Sequence, residues 1–210
     1  MSDDAIQALR GFSEALERAP FAALEAASIA LNEGALLAEQ LGRSTLLDRL
    51  NLDAPYIHKH LYLDKESSRT DLLARVRATK RGVLAPRYGA SVATESAKTA
   101  SEFLKGDPYR KIPKGQKSAG SSPWSVLKSG NRVAWKNVFF VKLKTSGAWG
   151  MVERMGYQRG VKGKSDWDKN LKVVHSLSVD QAWEGARDEV APESMARAEA
   201  VFLKEFGQRL

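Results

Sequence analysis

The stretch from residue 123 to residue 156 constrains the fold more than any other part of the chain. It contains four short runs that are rich in Val, Phe and Trp or bounded by turn residues, a pattern that favours β-strands. Two turns, Ser129-Gly130-Asn131 and Thr145-Ser146-Gly147, carry Gly and Asn, which accept the positive φ of tight hairpins. The sequence therefore predicts an antiparallel β-meander with strands at 124–128, 132–135, 138–144 and 148–153.

Alternation within the third run predicts which side chains the meander buries. One face is formed by Phe139, Val141 and Leu143, and the other by Phe140, Lys142 and Lys144. We expect the first face to be buried and the second to present cations. Large aromatic side chains here are also the predicted anchors of the core and of a subunit interface. The candidate interface residues are Phe139, Phe140, Trp149 and Trp124.

Helical periodicity dominates residues 1–60. Pro20 is expected to break or kink this region, with a second helix starting there and ending at Gly42 as its C-cap. Small residues along the apolar stripe of that helix let a neighbour approach closely. Ser28 lies on the same stripe, where its hydroxyl can donate to a carbonyl one turn earlier.

Two short helical turns follow, at 44–50 and 55–60, and give the region some character of a helix-turn-helix. The second turn offers only His58, Lys59 and His60, whereas base readout usually uses Arg, Asn or Gln. A metal site formed with His175 is also disfavoured, because residues two apart on a helix face different sides. Cysteine is absent. The sequence thus predicts no metal and no cofactor.

Further elements flank the meander. Val76 and Ala78 alternate with Arg75 and Arg77, which predicts a half-buried strand with its arginines outward. Ser178 begins a capping box, so helices close the chain. The core-facing positions of the last helix are predicted to be Met195, Ala198, Val201, Phe202 and Phe206.

The segment 89–123 has a different character. Its second half is rich in Pro and Gly and cannot bury a core, so we expect a long mobile loop. The candidate nucleic-acid-binding residues of this basic loop are Arg110, Lys111, Lys114 and Lys117. Such a loop either contacts phosphates along a nucleic-acid path, orders against a partner subunit, or simply connects two strands.

Charge is unevenly distributed within the formal net charge of +8. Residues 1–40 carry 2 basic and 7 acidic side chains, residues 41–170 carry 26 and 11, and residues 171–210 carry 5 and 7. This polarity suits identical subunits in contact through opposite faces, or proximity to a polyanion. No nucleotide-binding or hydrolase motif occurs, so an enzyme is not expected. No run of about 18 apolar residues occurs either, so a membrane partner is not expected.

These observations predict an α+β protein, with long N-terminal helices and C-terminal helices packed on an antiparallel β-meander and a long basic loop. The expected organisation is one compact domain. It comprises an N-terminal helical region (1–60), a β core (61–176) that includes the basic loop (89–123), and C-terminal helices (177–210).

The order of these elements resembles the prophage minor tail protein Z family of tailed bacteriophages. The similarity is carried by AALEAASIALNEGALLAEQLG after Pro20, by LLARVRATKRGV, and by SVLKSGNRVAWKNVFFVKLKTSGAWGMVERMG. It implies a structural virion protein, a minor tail or tail completion protein. Such a protein forms a ring at the head-proximal neck of the tail and takes part in head–tail joining.

The resemblance also implies partners and a location. The expected partners are further copies of the chain in a hexamer or a multiple of it, the tail terminator and tail tube proteins, the head–tail connector proteins, and genomic DNA passing through the lumen. The protein would lie in the virion neck, and in the host cytoplasm during assembly. From the residues alone, the alternative is a non-enzymatic DNA-binding protein that uses the basic central region.

Overall fold

The structure, a computed structural model, describes residues 3–97, 111–154 and 171–209, and of residues 3–19 and 154 the backbone alone. The chain is α+β, with a long N-terminal helix, C-terminal helices and small antiparallel sheets, which confirms the predicted fold class. Its residues group into two compact units. Unit 1 comprises Met1–Leu46, Ile57–Thr79 and Asp180–Leu210, and unit 2 comprises Leu47–Tyr56 and Lys80–Val179.

The elements follow one another in this order. The helices are α1 (Asp3–Arg49), α2 (Ala54–His60), a 3₁₀ helix (Ala85–Tyr88), α3 (Val179–Glu184) and α4 (Arg187–Gly207). The strands are β1 (Leu61–Lys65), β2 (Arg75–Ala78), β3 (Val83–Leu84), β4 (Val92–Ser96), β5 (Gln116–Ser121), β6 (Val138–Lys142), β7 (Trp149–Arg154), β8 (Leu171–Val173) and β9 (His175–Ser176). All pairings are antiparallel: β1 with β2, β3 with β9, β4 with β5, and β7 between β6 and β8.

Helix α1 runs without a break through both Pro20 and Gly42, so the predicted helix boundaries at these residues were wrong. A proline inside a helix loses one backbone hydrogen bond and costs about 3 kcal/mol. Beyond Pro20, the small side chains of Ala22, Ala26 and Ala30 are buried along one side of the helix. Packing of this side therefore favours continuing the helix over ending it.

Gly42 is required by packing and not by a helix end. A Cβ atom on Gly42 would lie 2.4 Å from Cζ3 of Trp183 on α3, and one on Gly34 would lie 2.9 Å from Cβ of Ala198 on α4. Both distances are shorter than any ordinary carbon–carbon contact. The neighbours that approach α1 closely are therefore α4 at Gly34 and α3 at Gly42.

Polar side chains fix the rest of unit 1 to α1. Asn32 donates from Nδ2 to the Ser67 carbonyl at 3.0 Å and accepts from the Ser67 amide at 2.6 Å. Arg43 donates to the Leu61 carbonyl at 3.0 Å and pairs with the buried carboxylate of Glu39. These side-chain bonds fix the start and the end of the β1 segment against the helix. The predicted bond of Ser28 is confirmed as well, since its hydroxyl donates to the Glu25 carbonyl at 2.9 Å.

The β1–β2 hairpin has the predicted alternation. Arg75 and Arg77 are exposed, whereas Ala78 is buried and Val76 is half-buried. Both guanidinium groups reach the carboxylate of Asp64 on β1, at 2.8 Å for Arg75 and 3.4 Å for Arg77. Cross-strand ion pairs of this kind support the register of a two-stranded ribbon.

Unit 2 contains only part of the predicted meander. The third and fourth runs form the β6–β7 hairpin, in which Phe140 lies opposite Met151. The first two runs are not strands, because they meet only at an isolated bridge between Trp124 and Val133. The third strand of this sheet is β8, which pairs with β7 on the side away from β6.

Two predicted burial patterns were wrong in part. On β6 the fully buried side chains are Val138 and Phe140, whereas Phe139 and Val141 are half-buried, because both faces of this strand are partly covered. On α4 the prediction fails at Met195, which is exposed, and holds at Val201, which is buried. The other predicted positions of α4 are half-buried, and its further buried residues are Val190 and Ser194. Alternation and helical spacing each fitted two phases here, and contacts with neighbouring elements decided between them.

One helical stretch in the described part of the chain, Pro20–Arg49, is long and apolar enough to span a membrane by length and composition alone. Core helices of globular proteins pass the same test. Within unit 1 this stretch also carries charged residues in ion pairs, including Glu33 with Arg197 at 3.2 Å. The absence of a membrane partner stays a prediction.

We expect Gly42→Ala to lower the free energy of unfolding. Overpacking typically costs about 1–3 kcal/mol, of which roughly 1 kcal/mol is offset by the higher helix propensity of Ala. Gly207→Ala is the matched control, since a Cβ there would contact nothing within 4 Å. Urea unfolding followed by circular dichroism measures both, and a Gly42→Ala variant as stable as Gly207→Ala would contradict the close packing.

We expect the folded protein to lose stability in alkaline solution because of Tyr88. Its side chain is fully buried and its Oη donates to the Leu177 carbonyl at 2.8 Å. Burial, and secondarily the Tyr56 phenol, raises the pKa of Tyr88 above its ordinary value. The unfolded chain therefore loses this proton first, near pH ~10, and the free energy of unfolding falls as the pH rises further. Below that pH the contribution is constant.

Comparison with Tyr88→Phe isolates this effect. The variant loses one hydrogen bond, about 1 kcal/mol, but it has no proton to lose at this position. Wild type should be the more stable protein at pH 8, and the difference should shrink as the pH rises above 10. Urea unfolding at several pH values measures it, and parallel pH curves for the two proteins would contradict the assignment.

Candidate interaction surface

The predicted basic loop is largely ordered where the structure describes it. Its flanks form the β4–β5 hairpin, so the prediction of a loop at 89–123 was wrong for Val92–Ser96, and that of a mobile second half was wrong for Gln116–Ser121. Backbone pairing gives these segments stability without a large apolar core, which composition alone did not reveal. In the same region, Gly120 is buried.

The structure places the four candidate cations in different settings. Lys117 lies on β5 and pairs with Glu95 at 2.9 Å. The ammonium of Lys111 lies over the ring of Trp149, 4.5 Å from its centroid. Lys114 is exposed, and Arg110 lies outside the described residues. The described members of this set are therefore not one uniform phosphate-contacting row.

The four aromatic candidates also separate. Phe140 and Trp124 are buried inside unit 2, and the Trp124 ring packs against Trp135 with centroids 6.2 Å apart. Phe139 and Trp149 are half-buried. The first pair belongs to the core of the unit, and only the second pair retains accessible surface for a partner.

Sequence reasoning missed a strongly exposed part of unit 2, residues 127–136, which we call the cationic loop. It presents three cations, Lys128, Arg132 and Lys136, and three exposed apolar side chains, Leu127, Val133 and Trp135. Every residue from 131 to 137 is exposed. A signal for it existed in the sequence, since no Asp or Glu occurs between residues 108 and 152.

Backbone hydrogen bonds hold the cationic loop at both ends. The Lys128 amide donates to the Arg49 carbonyl at 2.9 Å, and Trp124 and Val133 exchange bonds of 3.2 and 3.0 Å. The Trp135 carbonyl accepts from the Ser121 amide at 2.8 Å, and the Trp135 amide donates to Ser121 Oγ at 2.9 Å. The loop is therefore a fixed surface that exposes apolar groups.

The cationic loop belongs to a unit that carries a large excess of positive charge. The described residues of unit 2 include fourteen basic and four acidic side chains. Lys128, Arg132 and Lys136 form no ion pair with any residue that the structure describes. These exposed cations would be desolvated by any partner that covers the apolar groups beside them, which is costly unless the partner supplies negative charge.

Other features of the described chain offer less chemistry. No group of three or more His, Asp and Glu side chains is arranged to hold a metal within the described ranges. A groove of about 360 Å³ in unit 1 runs beside Ile29 and Val201, and the Glu33–Arg197 ion pair and Lys204 line it. Its charged groups are of both signs and exposed, which does not single out a ligand.

No family model, curated protein or solved structure matches this chain. The similarity to the minor tail protein Z family therefore stays a prediction from the sequence. The fold and the surfaces of the two units are the observations on which function must be argued.

Gly120 on β5 packs directly against the backbone of the cationic loop. Its φ is +104°, and a Cβ there would lie 2.0 Å from the Trp135 carbonyl oxygen. Gly120→Ala must therefore displace the loop, whereas Gly115→Ala, at φ +76° with nothing within 4 Å, has only the backbone cost of about 1–2 kcal/mol.

We expect the Gly120 variant to be less stable than the Gly115 variant by a further ~1–3 kcal/mol. It should also show altered tryptophan fluorescence in the native state, because Trp124 and Trp135 are neighbours. Urea titration followed by fluorescence measures both effects. Equal stability of the two variants would show that the loop moves away at no cost.

Proposed function

We propose that this chain is a structural virion protein of a tailed bacteriophage, a minor tail or tail completion protein that forms a ring at the head-proximal neck and takes part in head–tail joining. The observation that carries the proposal is the opposite charge of the two units. Among the described residues, unit 1 has twelve basic and seventeen acidic side chains, against fourteen and four in unit 2.

Opposite charges on one chain favour assembly of identical copies. A head-to-tail contact joins two different surfaces, and it closes into a ring when the rotation between copies divides a full turn. Complementary charge speeds association and suppresses wrong orientations. A chain with one acidic and one basic unit supplies both halves of such a contact.

The similarity to the minor tail protein Z family gives this assembly its place. It supports a ring that contacts tail terminator or tail tube proteins on one side and head–tail connector proteins on the other. It also supports a location in the virion neck, with assembly in the host cytoplasm. The proposed role is mechanical, so it needs neither an enzymatic reaction nor a cofactor.

A second candidate function is non-enzymatic DNA binding through unit 2. The observation that favours it is the excess of cations that have no carboxylate partner among the described residues. Binding through phosphates weakens steeply as salt is added. The two functions also combine in a ring whose lumen passes DNA, in which case both assembly and salt-dependent binding would be measured.

A gene deletion tests the proposal directly. Cells producing a phage that lacks this gene should accumulate heads and tails that do not join, and purified protein added to the extract should restore infectious particles. Electron microscopy should then place its density as a ring at the head-proximal end. Density at the distal tip, or infectious particles without the protein, would overturn the proposal.

The native mass of the purified protein adds a second test. We expect a multiple of 23.1 kDa at roughly physiological salt, where the screening length is about 8 Å, either alone or once tails are added. A protein that stays monomeric with tails but binds a DNA duplex in a salt-dependent way would favour the second candidate.

A further inference from the structure

We propose that the outward surface of α4 in one copy docks on the cationic loop of a second copy. This inference rests on the proposed ring function and names the two surfaces that would form its subunit contact. We call the first surface the acidic stripe, which consists of Asp188, Pro192, Met195, Glu199 and Leu203.

The acidic stripe lies on one side of α4. Its residues are spaced by four, three, four and four positions, which brings them to the same side of a helix. The residues that α4 buries are Val190, Ser194 and Val201, and the helical repeat places these on the opposite side. The stripe therefore faces away from the packed surface of its own unit.

Exposed apolar side chains make the stripe unusual. Met195 is 70% exposed and Leu203 is 62% exposed, although both are large and apolar. Asp188 is almost fully exposed and its carboxylate lies 3.5 Å from Nε of the neighbouring Arg187, and Glu199 forms no ion pair with the described residues. Two large apolar side chains exposed on one side of a helix, flanked by carboxylates, are suited to contact with a partner that covers them.

The cationic loop has the complementary composition. Leu127 is 45% exposed, Val133 is 53% exposed and Trp135 is 36% exposed, and three cations lie between and beside them. The acidic stripe is about 22 Å long, at 1.5 Å per helical residue. Each half of the cationic loop, 127–131 and 132–136, is roughly 15 Å long when extended. The carboxylates of the acidic stripe can thus contact the cations of the cationic loop, while the apolar side chains of both surfaces are removed from water.

The apolar groups favour a protein over a nucleic acid as the occupant. A phosphate backbone neutralises Lys and Arg but offers nothing that desolvates Leu127 and Val133. A second copy supplies both the carboxylates and the apolar side chains that the loop lacks. Because the two surfaces differ, a single contact of this kind is head-to-tail, and its repetition from copy to copy produces a ring or a filament.

Charge reversal on each surface tests the proposed contact. The loop variant carries Lys128→Glu, Arg132→Glu and Lys136→Glu, and the stripe variant carries Asp188→Lys and Glu199→Lys. Each variant alone places like charges across the contact, so each should run near the monomer mass of 23.1 kDa. The variant with all five substitutions has opposite charges again and should regain the assembly.

Matched controls keep the change in net charge the same. Lys114→Glu, Lys142→Glu and Lys144→Glu reverse three exposed cations of unit 2 outside the loop, and Glu66→Lys with Glu184→Lys reverses two exposed acidic residues of unit 1 outside the stripe. Both controls should keep the wild-type mass. Met195→Ser with Leu203→Ser adds an uncharged test on exposed positions, and it should weaken self-association at least tenfold without changing the circular dichroism spectrum.

The outcomes separate this inference from the proposed function. If wild type assembles and both charge-reversed variants assemble equally well, the contact lies elsewhere, the inference is wrong and the ring function survives. If wild type stays monomeric alone and with tails, both fail. If the loop variant keeps its mass but loses binding to a 20-base-pair duplex, the loop binds nucleic acid and the inference is overturned.

Discussion

The close approach of α1 to α3 and α4 is the contact on which unit 1 depends. At Gly42 and Gly34 the helix has no room for a methyl group, because Trp183 and Ala198 occupy that space. Contact this close brings many weakly attracting atoms together and excludes water along the whole seam. It also explains why a helix of 47 residues persists through two residues that usually end helices. Packing against α3 and α4 outweighs the intrinsic cost of Pro20 and Gly42.

The sequence predicted elements best where one local signal had one meaning. The alternation from Arg75 to Ala78 fits a single phase, and the ion pairs that both arginines form with Asp64 agree with it. A glycine in a helical sequence predicts either the end of the helix or the close approach of a neighbour. At Gly42 only the position of the neighbouring Trp183 decides between the two. On β6 the lysines at the strand end suggested the wrong buried face. Burial there depends on what covers each face, which a local pattern does not contain.

The candidate surface was harder to predict than the fold. The sequence predicted a nucleic-acid-binding loop because four cations, Arg110, Lys111, Lys114 and Lys117, lie among Pro and Gly residues. In the structure, however, Lys117 pairs with Glu95 across a hairpin and the Lys111 ammonium lies over the Trp149 ring. The cationic loop lay inside a predicted meander, so its side chains were assigned to strands. An exposed surface arises where backbone pairing between strands stops, as it does beyond the Trp124–Val133 bridge. Alternation patterns that predict strand pairing are therefore poor guides to where that pairing ends.

The composition of the two units has one further physical consequence. Like charges on unit 2 repel one another, and this self-repulsion lowers the stability of the unit unless counter-ions or a partner offset it. The exposed Met195 and Leu203 on unit 1, and Leu127 and Val133 on unit 2, lose hydrophobic free energy in the isolated chain. The proposed contact of an acidic apolar surface with a basic apolar surface would offset both losses at once. Assembly through these two surfaces would then stabilise the fold as well, because binding to the native state shifts the unfolding equilibrium.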